Sequence, residues 1–142
     1  MSIIEVICGP MFSGKSEELI RRLKRIQISK KKVMAFKPVI DNRYGRDIVS
    51  HSGGSIEAHN VSGTKEMVDI VKKECPDVVG IDEAQFFDSD IVSAVEKMAQ
   101  GGIHVILSGL DKDFRGEPFG QMPLLLTKAD YVTKFDAVSM KC

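Results

Sequence analysis

Gly9-Pro10-Met11-Phe12-Ser13-Gly14-Lys15-Ser16 sets two glycines, a lysine and a hydroxyl at the spacing G-x-x-x-x-G-K-[ST]. Gly9 and Gly14 let the backbone turn tightly and aim successive N–H groups inward, which makes a concave anion site. Lys15 adds a point charge suited to the β- and γ-phosphates of ATP, and the Ser16 hydroxyl is placed to ligate Mg²⁺. Further on, Val78-Val79-Gly80-Ile81-Asp82-Glu83 is an apolar run that ends in two acids. Neighbouring strand residues point to opposite faces, so the two carboxylates are expected to take different tasks. Asp82 suits the Mg²⁺ ion, directly or through water; Glu83 suits a base that takes a proton from the attacking nucleophile.

These groups need a scaffold. Ile3–Cys8 reads as a short buried strand leading into the glycine loop, and Leu19, Ile20, Leu23 and Ile26 share one face of a helix running from Ser16 to about Ile28. The stretch Arg21–Lys32 holds seven basic residues and no acid, as expected of a solvated face whose cations favour the helix C-terminus. Val33–Val39 reads as a second strand, Arg43–Gly54 as a loop, Ser55–Val61 as one short strand and Thr64–Glu74 as a helix capped near Ser62 or Gly63. Asp77–Ile81 and Ile103–Leu110 read as core strands around a helix at Ser89–Gln100. Gln121–Ala129 reads as helical and Tyr131–Val138 as a last strand. Alternating apolar strands and helices point to an α/β fold of P-loop NTPase, RecA-like type: a mostly parallel sheet flanked by helices. Residues 1–136 form its nucleotide-binding domain in this reading. Ligands of such sheets lie at the carboxyl ends of strands, which would bring the acids into the crevice that holds Lys15.

The motif chemistry leaves the nucleophile open. If Glu83 activates water the chain is an ATPase; if it activates a hydroxyl, a kinase. A third reading is a catalytically silent nucleotide-binding module. A GTPase switch is disfavoured, since no N-K-x-D motif occurs. Phe86 and Phe87 follow the acids, and Phe114 and Phe119 follow the strand that ends at Leu110. Planar rings there could form a slot for a flat base, or could serve the core.

The 142 residues, 43% apolar and 28% charged, fit one ordinary globular domain. Twenty basic residues balance twenty acidic ones, which argues against nucleic-acid and membrane-surface partners. No apolar run reaches the roughly 18 residues of a membrane span, and the N-terminus does not read as a signal peptide. The three cysteines, Cys8, Cys75 and Cys142, are odd in number and far apart. They fit incidental thiols in a reducing cytoplasm better than a disulfide framework.

Together, the glycine loop Gly9–Ser16, Asp41-Asn42-Arg43-Tyr44, Ile81-Asp82-Glu83-Ala84-Gln85-Phe86-Phe87, and Gly109-Leu110-Asp111 through Pro118-Phe119-Gly120 resemble the type II thymidine kinases in order and spacing, over nearly the whole chain. The resemblance implies transfer of the ATP γ-phosphate to the 5′-hydroxyl of thymidine or deoxyuridine, with Glu83 as base. It implies that Gly9, Pro10, Met11, Phe12, Ser13, Gly14, Lys15, Ser16, Asp82, Glu83, Ala84 and Gln85 bind the nucleotide, with Ser16 and Asp82 on Mg²⁺. Asp41 and Arg43 match family residues near the phosphates and metal. Met11, Phe86, Leu110, Phe114 and Phe119 would line the thymine pocket, and Gln85 would be a polar structural link. A homotetramer, a cytoplasmic location and Zn²⁺ in a C-terminal lid belong to the same implication.

The chain departs from the family at Ser139-Met140-Lys141-Cys142, where members carry C-x-x-C. Ser139 is a poor substitute for a thiolate on Zn²⁺. The sequence ends at Cys142, before the family's nucleoside-closing loop and second cysteine pair, so residues 137–142 are read as the start of a lid. A complete zinc site is not expected within the chain.

Overall fold

The computed structural model describes residues 3–11, 13–39, 47–49, 54–113 and 115–136. Six strands form one parallel sheet: β1 (Ile4–Cys8), β2 (Val33–Pro38), β5 (His59–Val61), β6 (Val78–Ile81), β7 (His104–Gly109) and β8 (Tyr131–Lys134), in the order β5-β2-β6-β7-β1-β8. Helix α1 (Lys15–Ile28) carries the chain from β1 across to β2. Helices α2 (Thr64–Glu74), α3 (Ile91–Gln100) and α4 (Met122–Lys128) carry it back. Right-handed crossovers in opposite directions must lie on opposite faces, and they do.

The strands are apolar on both sides because both faces are covered. Ile4, Val6 and Cys8 of β1, with Val79, Ile81, Val105 and Leu107, pack with Met67, Ile91, Val95, Met122 and Leu125 from α2, α3 and α4. Ile7, Ala35 and Ile106 point the other way, to Leu19, Ile20 and Leu23 of α1. The alternation follows the period of two along each strand.

Two expectations change. Ser55–Val61 is not one strand. Ser55–Glu57 is β4, antiparallel to β3 (Asp47–Val49), while His59–Val61 is β5 and pairs with β2. Ala58 is the buried break between them, and Ile48 and Ile56 are buried in the cluster around α1. Part of the expected 43–54 loop is thus β3. The basic stretch is also more than a solvated face. Arg22 donates to Glu18 at 2.6 Å, to Glu5 of β1 at 3.0 Å and to Thr133 of β8 at 2.9 Å, tying α1 to the sheet.

The helices otherwise fall near their expected positions. Gly63 caps α2, with Glu66 reaching back to the Ser62 N–H at 2.7 Å. The last strand ends at Lys134, and residues 137–142 lie outside the described residues.

Candidate active site

Strand β7 separates β1 from β6, so the loops after β1 and β6 open at one carboxyl edge with a single strand between them. The glycine loop leaves β1 at Gly9 and enters α1 at Gly14, which holds φ +96° as the helix N-cap. Gly9 has no room for a side chain: a Cβ there would lie 2.6 Å from the carbonyl oxygen of Phe135. The Lys15 ammonium donates to the Pro10 carbonyl at 2.8 Å. Ser13 Oγ is buried and finds no hydrogen-bond partner among the described residues, so it is an orphan polar atom within the glycine loop.

Burial lowers the pKa of Lys15, and attraction to Glu83, then Asp82, then Asp111, opposes that shift. The lysine and both sequence-identified acids therefore share one electrostatic neighbourhood, 67 and 68 residues apart in the chain. Asp82 is 8% exposed. Burial, and next the charge of Glu83, push its carboxyl up to about 6. Its N–H bonds the Phe36 carbonyl of β2 at 2.9 Å. Strand β6 stops at Ile81, so strand pleating does not set the two acids on opposite faces. Glu83 adopts φ 53°, ψ 44°, the left-handed conformation that a non-glycine residue holds only when its surroundings impose it.

A short 3-10 turn, Ala84–Phe86, follows. Ala84 and Gln85 are buried. The Gln85 amide nitrogen donates to Glu83 Oε1 at 3.1 Å, and its oxygen accepts from Leu110 N–H at 3.0 Å. The segment after β7 makes an excursion and returns. Asp113 N–H bonds the Glu117 carbonyl at 2.8 Å, Lys112 bridges Pro118, and Phe119 N–H bonds the Asp111 carbonyl at 3.2 Å. That return sets the Phe119 ring edge-on to Phe86, with centroids 5.4 Å apart at 85°.

Phe86 is 43% exposed, and Leu110 and Phe119 are half-buried, so these three can face a ligand. Met11 is exposed on the loop. Phe87 is different: it is buried in the core cluster that α2, α3 and α4 cover, and is no part of a slot. Phe12, Asp41, Arg43, Phe114, Ser139 and Cys142 lie outside the described residues.

Sequence reasoning gave no role to three groups at this edge. Asp111 lies near Lys15 and Cys8, raises the Cys8 thiol second to burial, and pairs with Lys134 at 3.2 Å. Lys134 brings a second cation to the strand ends. Ser108, fully buried near the end of β7, has an Oγ with no partner among the described residues. The only sequence signal of Ser108 and Asp111 is position at the end of the strand between the two motif strands, and Lys134 ends the edge strand β8 beside β1. A separate cavity of about 500 Å³ opens beside the loop between Ser13, Gly14, Glu17, Arg21 and Phe135, and the two acids do not line it.

Among the described residues no cluster of three or more His, Cys, Asp or Glu side chains could hold a metal ion. Mg²⁺ in phosphate-loop sites needs no such cage, since it keeps several waters and takes its other oxygens from the substrate phosphates and one or two protein groups. Ser16 and Asp82 fit that demand: a hydroxyl at the head of α1, and a buried carboxylate whose neighbour carries like charge. No helix among the described residues is long and apolar enough to cross a membrane.

A family model described as thymidine kinase matches residues 2–142. Among solved structures the chain is similar to the flagellar accessory protein FlaH of Methanocaldococcus jannaschii, with TM-score 0.65 and 12% identity over 93% of this chain and 70% of that one. It is also similar to the Legionella pneumophila ATPase DotB, with TM-score 0.57 and 23% identity over 89% of this chain and 34% of that one. At such identities the likeness is one of fold: an α/β sheet of the P-loop type.

Proposed function

The chain belongs to the thymidine kinase family, and from that premise we propose that it transfers the γ-phosphate of ATP to the 5′-hydroxyl of thymidine or deoxyuridine. One observation carries the reading. Glu83 comes first among the carboxylates that oppose the effect of burial on the Lys15 ammonium, and its own carboxylate accepts from Gln85. The neighbourhood of the two groups at one strand edge supports reading Glu83 as the base and Lys15 as the phosphate-binding cation.

In this proposal the loop amides, Ser13 Oγ and Lys15 receive the triphosphate, as a glycine loop at a helix N-terminus is built to do. Ser16 and Asp82 would hold Mg²⁺, which would supply charge that neutralises the triphosphate. Phe86 and Phe119, with Leu110 and Met11, hold the base flat and fix the sugar. Glu83 takes the proton of the 5′-hydroxyl as its oxygen bonds to the γ-phosphorus. The bond from that phosphorus to the bridging oxygen breaks, ADP leaves with the electron pair, and the proton passes from Glu83 to solvent. Little covalent chemistry falls to the protein, whose work is positioning and charge.

A tetrameric assembly and a cytoplasmic setting are proposed from the family resemblance alone. No step runs through zinc, whose candidate positions Ser139 and Cys142 lie outside the described residues.

The test is ADP release against a panel of nucleosides, with the phosphorylated product identified. Release that requires thymidine or deoxyuridine and yields the 5′-monophosphate supports the proposal. Release indifferent to every nucleoside makes the chain an ATPase, and ATP binding without any transfer makes it a silent module.

A further inference from the structure

We infer that Gln85 is a positioning residue for phosphoryl transfer: it sets the angle of the Glu83 carboxylate and couples it to the segment 109–120 that carries the ring pocket. The inference rests on the reading of Glu83 as base given above.

Gln85 is 3% exposed, and a buried amide is costly unless both of its ends are bonded. Here both are. Leu110 N–H can only donate, so it must meet the amide oxygen, which turns the NH₂ group toward Glu83 Oε1 as acceptor. The bonds, at 3.0 and 3.1 Å, fix the amide without ambiguity. An apolar side chain could fill the same space beside Ala84 and Met122, but it could hold neither partner.

Both ends of the pocket segment lean on this one residue. A Cβ at Gly109 would lie 2.7 Å from the Gln85 side-chain oxygen, and one at Gly120 would overlap the Gln85 main-chain carbonyl. Glycine at each end permits the contact. Phe119, one residue before Gly120, packs its ring on Phe86, one residue after Gln85. A nucleoside seated against these rings therefore bears on the residue that holds the base.

The test is a double-mutant cycle on the full chain with Gln85→Met, Glu83→Gln and the pair, read as ADP release with saturating ATP. Gln85→Met is expected to lower kcat by about 10- to 100-fold, the usual cost of losing an outer partner of a functional group, with ATP affinity within about twofold of wild type. In the Glu83→Gln background the same change is expected to cost less than about twofold, because a residue that acts through the base has nothing left to position. Equal losses in both backgrounds overturn the inference. The cycle reads whatever turnover occurs, so turnover that ignores nucleosides refutes the kinase reading without deciding this one.

Amide exchange gives a readout that needs no activity. Leu110 is expected to exchange at least about tenfold faster in Gln85→Met, while Val105 and Leu107 within β7 stay protected; an unchanged Leu110 overturns the link. Should Gln85→Met fail to fold, Gln85→Glu replaces the donor and keeps the acceptor. It is expected to lose kcat with Leu110 still protected, and full kcat would overturn the inference.

Discussion

The ammonium of Lys15 donates to the carbonyl oxygen of Pro10 at 2.8 Å, so the cation of the glycine loop lies across the loop itself. Burial makes that charge costly, and three carboxylates on neighbouring strand ends compensate it. A triphosphate at this edge meets a cation already partly stripped of water, which strengthens the interaction. Lys15→Met is expected to weaken ATP binding by roughly 10- to 100-fold, the range of a charged hydrogen bond. Calorimetric titration measures it; an unchanged affinity contradicts it.

Asp82 ties stability to pH. Its folded-state pKa is raised from 3.8 to about 6 by burial, so the folded chain holds this proton more tightly than the unfolded chain does. The sign follows: the group's stabilising contribution is full below about pH 4 and is lost as pH rises through about 6, by about 3 kcal/mol in all. Asp82→Asn, a neutral isostere, is expected to be more stable than wild type by about 1–3 kcal/mol at pH 7 and no more stable near pH 4, while losing turnover. Urea unfolding in the presence of EDTA checks it. A stability difference that does not change with pH contradicts it.

The two adjacent phenylalanines are expected to behave in opposite ways. Phe86 is half-exposed and pairs with Phe119. Phe86→Ala should raise the nucleoside KM several-fold, to about tenfold for a ring pair of this kind, with ATP affinity nearly unchanged. Phe87 is buried, and Phe87→Ala should cost about 3–5 kcal/mol of stability. Steady-state kinetics and urea unfolding separate the two, and a reversed pattern would refute this division of roles.

Gly120 holds φ +54° with the Gln85 carbonyl where a Cβ would go. Gly120→Ala adds a left-handed strain of about 1–2 kcal/mol to that overlap. It is expected to lower Tm by at least about 3 °C for a chain of this size and to raise the nucleoside KM. Thermal unfolding and kinetics report both effects, and a wild-type Tm would contradict the packing described.

What could be read in the sequence was what is local in it. The glycine loop, the apolar strand before Asp82 and the helix face of Leu19, Ile20 and Leu23 each lie within a dozen or so residues; the strand and the helix face formed as expected, with the loop between β1 and α1. Contacts between distant residues were not legible. Ile48 and Ile56 gather at α1 and split one expected strand into two. Arg22 finds Glu5 and Thr133, 17 and 111 residues away. Gln85 reads as a polar link, but its distant partner, Leu110, appears only once β6 and β7 are side by side. Strand pleating predicts separate tasks for Asp82 and Glu83, whereas β6 stops before them and Glu83 takes a left-handed backbone.

The most direct measurement is a single-turnover assay with γ-labelled ATP, saturating thymidine, and either the wild-type chain or Glu83→Gln. Label is expected at the 5′-oxygen of thymidine with the wild-type chain, and about 10²- to 10⁴-fold more slowly with Glu83→Gln, while both bind ATP with the same affinity. Label that goes to inorganic phosphate whether or not thymidine is present, or a Glu83→Gln rate within about twofold of wild type, would contradict a kinase in which Glu83 takes the proton.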